Sequence, residues 1–366
     1  MNTADSVESP RVLVVRRDNI GDLVCTTPLL QALRARYPGA RLAVLVTSYN
    51  AAVIDHHPAP DRVYRYTKLK HRGSGGMIFS LLTRRLHMLW HLRREQFDYA
   101  ILAGAGFQPR VARLVRWLGV RQIVGYVEPG DPRSRLIDIG VRRPSAPLHQ
   151  VELVFKLLRP LGIEGTPPPV QSFPDPAEVE AARQRLTAHG YRLGARIVGV
   201  HISTRKPSNR WPDEKYVELI RRLHATYSAT FVLLWAPGDA ANPRHPGDDA
   251  SAVAIKSALP GVPVVAYPMG PLSQLIADLS LCDLVITSDG GAMHIAAGLG
   301  KPILCFFGDT DATHWRPWAV SHELLQPPSR RAADISVDEA VRAFERLMRA
   351  AGLPARRPDG ARVTTS

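Results

Sequence analysis

The chain has 366 residues, 45% of them hydrophobic, enough for two domains with cores of ordinary size. Its 47 Lys plus Arg against 33 Asp plus Glu leave a formal charge of +14, spread without a Lys/Arg block or a nucleic-acid-binding motif. The expected partner is therefore an anionic substrate or a membrane surface, and no nucleic acid. No apolar run approaches the ~18 residues of a membrane span, and MNTADSVESP lacks the apolar core of a signal peptide. Cys25, Cys282 and Cys305 lie in or beside apolar runs without metal-ligand spacing. These features predict a cytoplasmic protein with buried free thiols and peripheral contact with the inner membrane at most.

Residues 11–46 read as a βαβ unit: the strand RVLVV, a loop, a helix over roughly Asp22 to Tyr37, and the strand RLAVLV after Pro38-Gly39. The first strand is apolar after Arg11, as in a parallel sheet covered on both faces. Asp22 stands beyond its carboxyl end, where open α/β sheets place their chemistry; an N-cap role is the simpler alternative. Pro28 is expected to tighten or kink this helix. YAILAG (Tyr99 to Gly104) and QIVGY (Gln122 to Tyr126) follow as strands, separated by basic segments. KLKHRGSGG offers Lys68, Lys70 and Arg72, and EPGDPRSR offers Arg133 and Arg135; a charged loop can equally be only solvated.

Leu148 to Ile163 has the spacing of a helix. Glu164 to Pro176 carries Pro167, Pro168, Pro169, Pro174 and Pro176 and reads as a linker. The expected domains are thus 1–165 and 177–353, with 354–366 a flexible tail. The second half starts with a helix near Ala177 to His189 and the strand Arg196 to His201. In the loop that follows, Ser203 and Thr204 offer hydroxyls, and Arg205, Lys206 and Arg210 offer cations suited to a diphosphate. Phe231 to Trp235 is a strand with Asp239 in the loop after it, before the polar segment NPRHPGDDAS. Val262 to Tyr267 and PLSQLIADLSLC are strand and helix.

The stretch Asp283 to Gly308, DLVITSDGGAMHIAAGLGKPILCFFG, reads as strand, tight turn, helix and strand. Asp289 falls where an N-cap belongs, and Gly290 and Gly291 let a ligand approach unpaired N–H groups that favour an anion. The same glycines can serve close packing alone. Asp309-Thr-Asp311 has the form of a metal motif, but three residues assign no metal. Ser336 to Leu353 is a capped amphipathic helix. His56, His57 and His245 are isolated and read as surface or packing residues.

The string SDGGAMHIAAGLGKPILCFFG resembles the C-terminal signature of the bacterial lipopolysaccharide heptosyltransferases, glycosyltransferase family nine, in which Asp-x-Gly-x-x-His-x-x-Ala-x-x-x-x-Pro precedes Phe-Gly. The N-terminal strand followed by Gly21-Asp22 and Thr26-Thr27-Pro28 is similar to the same family, as are His149-x-Val151-Glu152 and Ser203-Thr204-Arg205 with Arg210-Trp211-Pro212. The resemblance implies an α/β GT-B architecture of two Rossmann-like domains facing across a cleft, closing over the proline linker. It implies inverting transfer of heptose from an ADP-heptose donor to a sugar of an anionic glycolipid acceptor, with Asp22 as general base and no metal or cofactor. It places Ser203, Thr204, Arg210, Asp289, Gly290, Gly291 and His294 around the donor, Asp239 on its ribose, and the basic residues 68, 70, 72, 133 and 135 toward the acceptor. Arg16-Arg17-Asp18-Asn19 departs from the family's small polar residues, and Asp18 is a second carboxylate near Asp22. Open alternatives are another nucleotide sugar or a small-metabolite acceptor, a sugar-nucleotide epimerase, and a non-catalytic nucleotide-binding protein.

Overall fold

A computed structural model describes residues 9–67, 75–191, 196–242 and 247–353, with the backbone alone over 75–82. The chain divides into two compact units, residues 1–172 and 173–366, each built on one six-stranded parallel sheet. The first sheet holds β1 (Arg11–Val15), β2 (Arg41–Thr47), β3 (Arg62–Tyr66), β4 (Tyr99–Leu102), β5 (Gln122–Val127) and β6 (Ile139–Arg142) in the order β3-β2-β1-β4-β5-β6. The second holds β7 (Ile197–His201), β8 (Thr230–Trp235), β9 (Val264–Pro268), β10 (Leu284–Ser288), β11 (Ile303–Phe306) and β12 (His322–Leu325) in the order β12-β11-β10-β7-β8-β9. Counted from its own first strand, each sheet has the Rossmann order 3-2-1-4-5-6.

The central strands are apolar because helices cover both faces. Val12 to Val15 and the whole of β7, β8, β10 and β11 are buried, so continuous Val/Ile/Leu runs pack where an alternating pattern would put polar groups in the core. Leu13, Val15, Leu45, Phe97 and Val115 belong to the first core, and Phe231, Leu233, Ile286, Phe306 and Phe344 to the second. The outer strands β3, β6 and β12 are half-exposed, and their mixed sequences RVYRY, IGVR and HELL hid them from a reading based on apolar runs.

The helices are α1 (Ile20–Val24), α2 (Thr27–Arg36), α3 (Gly75–Arg94), α4 (Pro109–Trp117), α5 (Gln150–Phe155), α6 (Pro176–Ala188), α7 (Asp213–Tyr227), α8 (Asp249–Ser257), α9 (Leu272–Ser280), α10 (Gly291–Gly298), α11 (Ala312–Trp315) and α12 (Val337–Ala350). The single helix expected from Asp22 to Tyr37 is broken into α1 and α2. Pro28 has no N–H to give to the turn before it, and the break leaves carbonyls that the threonines take up. Thr26 donates to the Asp22 carbonyl and Thr27 to the Val24 carbonyl, each at 2.8 Å, while the Gln171 N–H donates to the Thr27 hydroxyl at 2.9 Å. Likewise the helix expected from Leu148 to Ile163 is α5 followed by a 3-10 stretch, Lys156–Leu161, that accommodates Pro160. All three cysteines are buried and outside any disulfide, and burial pushes their thiols up.

Candidate functional site

In the first unit the chain order reverses between β1 and β4, and the residues beyond the carboxyl ends of these strands meet there. Arg16, the residue after β1, is 2% exposed and bridges both sides of this crevice. One guanidinium nitrogen donates to the Ala103 carbonyl after β4, a second to Oδ1 of Asp22, and Nε lies 3.3 Å from Asp18. Asp22 sits in the first turn of α1, where its Oδ2 accepts from the backbone N–H of Asn19 at 3.1 Å and from the Asn19 amide at 3.0 Å. Among the described residues, three bonds on a carboxylate with about four acceptor positions leave one position on Oδ1 unfilled. The capping role and an unfilled acceptor position thus coexist on Asp22, which is 9% exposed.

Close to the same edge, the guanidiniums of Arg17 and Arg85 each stack on the Tyr66 ring, at 4.6 and 4.7 Å from its centroid. Tyr66 ends β3, directly before the basic loop singled out in the sequence; Lys68, Lys70 and Arg72 themselves lie outside the described residues. Arg133 is exposed and bonded through two nitrogens to Asp131, whose carboxyl it holds down to about 2. Arg135 is exposed in the same 3-10 turn.

In the second unit the reversal lies between β7 and β10. Here the sequence reading of Asp289 needs correcting. The N-cap of α10 is Gly290, and among the described residues no side chain caps this helix. Asp289 turns away, and its Oδ2 accepts from the Thr310 hydroxyl at 2.8 Å and the Asn209 amide at 3.1 Å. Asn209 is fully buried, donates also to Thr310, and accepts the Gly308 N–H at 2.7 Å. Asp289, Asn209 and Thr310 therefore tie together the loops after β10, β7 and β11. A Cβ on Gly308 would run into the Ser208 carbonyl and Asn209 Oδ1, which explains the glycine of the Phe-Gly pair.

The consequence is an uncapped helix N-terminus. Among the described residues, no side chain accepts from the first N–H groups of α10, and a Cβ built on Gly290 would meet nothing within 4 Å. Thr204 reaches across from the loop after β7, its hydroxyl 3.4 Å from the Asp289 carbonyl. Arg205 and Lys206 are exposed on that loop, with Lys206 3.2 Å from Asp309. His294, four residues into the turn, is buried with its ring edge-on to Trp315 at 5.7 Å.

Ser203 and Arg210 are brought together by a residue that sequence reasoning passed over. Asp248 is 3% exposed; its Oδ2 accepts from the Ser203 hydroxyl at 2.5 Å and its Oδ1 from Arg210 at 2.6 Å. Ser203 accepts in turn from the Ala236 N–H at 2.8 Å. Arg210 also borders a cavity of about 390 Å³ lined by Ile202, Trp211, Asp213 and Ser251. Asp239 is exposed and closes its own loop, accepting from the Ala241 N–H at 2.8 Å. The acids of the Asp309-Thr-Asp311 string have separate tasks. Ser208 and Lys206 hold the Asp309 carboxyl below its usual value, and Asp311 caps α11 through the Thr313 N–H.

A model of glycosyltransferase family 9 (heptosyltransferase) matches residues 85–339. Lipopolysaccharide heptosyltransferase 3 of Escherichia coli is 26% identical over 312 residues, covering 84% of this chain and 85% of that protein. Lipooligosaccharide heptosyltransferase 2 of Haemophilus influenzae is 24% identical over 320 residues, covering 84% and 85%. Among solved structures, a glycosyl transferase family 9 protein from Veillonella parvula aligns with a TM-score of 0.76 at 18% identity over 93% of this chain and 97% of that one. E. coli heptosyltransferase WaaC with ADP-2-deoxy-2-fluoro heptose aligns at 0.69 and 21% over 92% and 99%. At these identities the structural likeness carries the fold.

Proposed function

Because the chain belongs to glycosyltransferase family 9, we propose that it moves a heptose from ADP-L-glycero-D-manno-heptose to a sugar hydroxyl of a lipopolysaccharide core or related glycan, with inversion. The observation that carries the donor half is the uncapped start of α10 beside open space at Gly290, within reach of the loop that presents Thr204, Arg205 and Lys206. Backbone N–H groups and a helix dipole held in place before the reaction favour a diphosphate, and favour the leaving ADP more as its charge develops. This reading assigns the stabilisation to protein groups. Asp289 acts behind the site by holding the three loops together, and Asp248 positions Ser203 and Arg210. His294 and Asp239 remain assigned to the phosphate and ribose sides of the donor.

Asp22 is assigned as the general base. It takes the proton of the acceptor hydroxyl at the unfilled position on Oδ1 while that oxygen bonds to the anomeric carbon and the bond from that carbon to the phosphate oxygen breaks. Acceptor recognition is assigned to residues 1–165 and donor binding to 177–353. The two guanidiniums on Tyr66, with Lys68, Lys70, Arg72, Arg133 and Arg135, make the first unit suited to an anionic sugar.

The test is ADP release from ADP-heptose with and without de-acylated core oligosaccharide, in wild type and Asp22→Asn. Acceptor-dependent release that disappears in Asp22→Asn while ADP still binds supports the assignment. Failure of the wild type to bind ADP or ADP-heptose would sink it.

A further inference from the structure

The first unit carries an exposed surface that none of this chemistry uses. On α3, Leu86 and Trp90 lie one turn apart and are 64% and 49% exposed, and Trp117 at the end of α4 is 52% exposed. They belong to one patch: Arg93 donates from α3 to the Trp117 carbonyl and lies over its ring at 5.5 Å, while Arg94 lies over Trp90 at 4.4 Å. Exposed Arg113 stands one turn before Trp117 on α4. The sequences of these two helices contain seven arginines and no Asp or Glu.

A solvated helix face needs no large apolar groups. Tryptophan and leucine tips set among arginines on two helices whose own sequences hold no acid have the composition of a segment that lies in a lipid headgroup layer. The rings enter the acyl boundary and the guanidiniums meet phosphates. We propose that the α3/α4 face docks the protein on a bilayer rich in anionic phospholipid, through Leu86, Trp90 and Trp117 as the inserted groups and Arg93, Arg94 and Arg113 as the phosphate contacts. Charge complementarity selects the occupant: Arg93, Arg94 and Arg113 are exposed beside the tryptophans on helices that hold no acid, so a second copy of this face would be repelled.

The proposal stands apart from the sugar chemistry and is tested without it. The full chain is sedimented with vesicles of phosphatidylcholine alone or mixed with phosphatidylglycerol, at low and raised salt. Wild type is expected to partition onto the mixed vesicles and to leave them as salt rises. Arg94→Gln with Arg113→Gln should lower the partition constant by about 25-fold, from roughly fivefold per surface arginine. Trp90→Ser with Trp117→Ser should lower it by about tenfold or more, with the thermal transition unchanged. A control pair on the second unit, Arg331→Gln with Arg349→Gln, has the same charge change and should leave binding within twofold. The proposal is overturned if wild type ignores the mixed vesicles, if the control pair weakens binding as much as the α3/α4 pair, or if the tryptophan variant binds like wild type. It is also overturned if the tryptophan pair instead dissolves a dimer in solution.

Discussion

Replacing Arg16 by methionine tests whether the crevice of the first unit is held by one side chain. The change removes the cation from Asp22, from Asp18 at 3.3 Å and from the Ala103 carbonyl together, and it leaves Asn19 on Oδ2 untouched. Breaking a sealed ion pair from one side costs about 3–5 kcal/mol. Asp22 and Asp18 retain side-chain exposures of 12% and 44%, so water can meet part of the loss and the lower end, about 3 kcal/mol, is expected. For a unit of 172 residues this is roughly a 6–12 °C fall in its thermal transition. Calorimetry on the full chain should show one transition moving and the other in place. In turnover, a base displaced by an ångström should lower kcat on the order of a hundredfold, with the donor KM little changed. Combining Arg16→Met with Asp22→Asn completes a cycle in which the coupling should be at least about 1 kcal/mol in stability. A transition that stays put, or additivity in the double variant, would refute the argument that Arg16 positions Asp22.

Asp22→Asn alone should lower kcat by about 10²–10⁴ while ADP affinity, measured by titration calorimetry, is retained; equal loss of both would mean a structural role only. Gly308→Ala should destabilise the second unit by about 1–3 kcal/mol, since the new Cβ displaces Asn209 from Asp289, and should weaken ADP binding; an unchanged melting curve contradicts the packing. Burial lowers His57 and His201 from 6.5 to about 4, so the unfolded chain takes up the proton first. Stability should fall as pH drops from 6.5 toward 4, by at most about 1.4 kcal/mol per pH unit for each histidine. His201→Gln should flatten that slope for the second unit, and an unaltered slope would count against the assignment.

Much of this architecture is legible in the sequence wherever burial on both faces of a strand forces an unbroken apolar run, as in Val12 to Val15 or Leu284 to Ile286. The break between α1 and α2 was visible as Pro28, but its position was not, because it depends on where Thr26 and Thr27 can catch freed carbonyls. Asp22, Gly290 and Thr204, which the proposed function uses, each stand in a distinctive local string and could be named in advance. Asn209 and Asp248 could not. Each acts by joining loops far apart in the chain, Asn209 to Thr310 and Asp248 to Ser203, and nothing in their own neighbourhoods marks them. Arg16 did give a signal: an arginine directly behind an apolar parallel strand must find partners at the sheet's carboxyl edge. Asp289 was named, but its side chain was assigned to the wrong neighbour because Thr310 offers a better partner than the helix backbone.

The shared strand order gives the two sheets the same socket twice, and the chain treats each differently. Beside α10 the socket has glycine at the helix start and no acid in its first turn, so an arriving anion finds donors. Beside α1 the same place is stoppered from within: Arg16 occupies the gap, and the carboxylate of Asp22 stands in the first turn, where it would repel a phosphate. Of two sheet edges with the same strand order, one thus presents open backbone donors and the other holds an internal cation. On the function proposed above, the remaining acceptor position of Asp22 is the one that takes the proton. One residue at the end of a strand and one in the next helical turn set apart two edges that share a strand order.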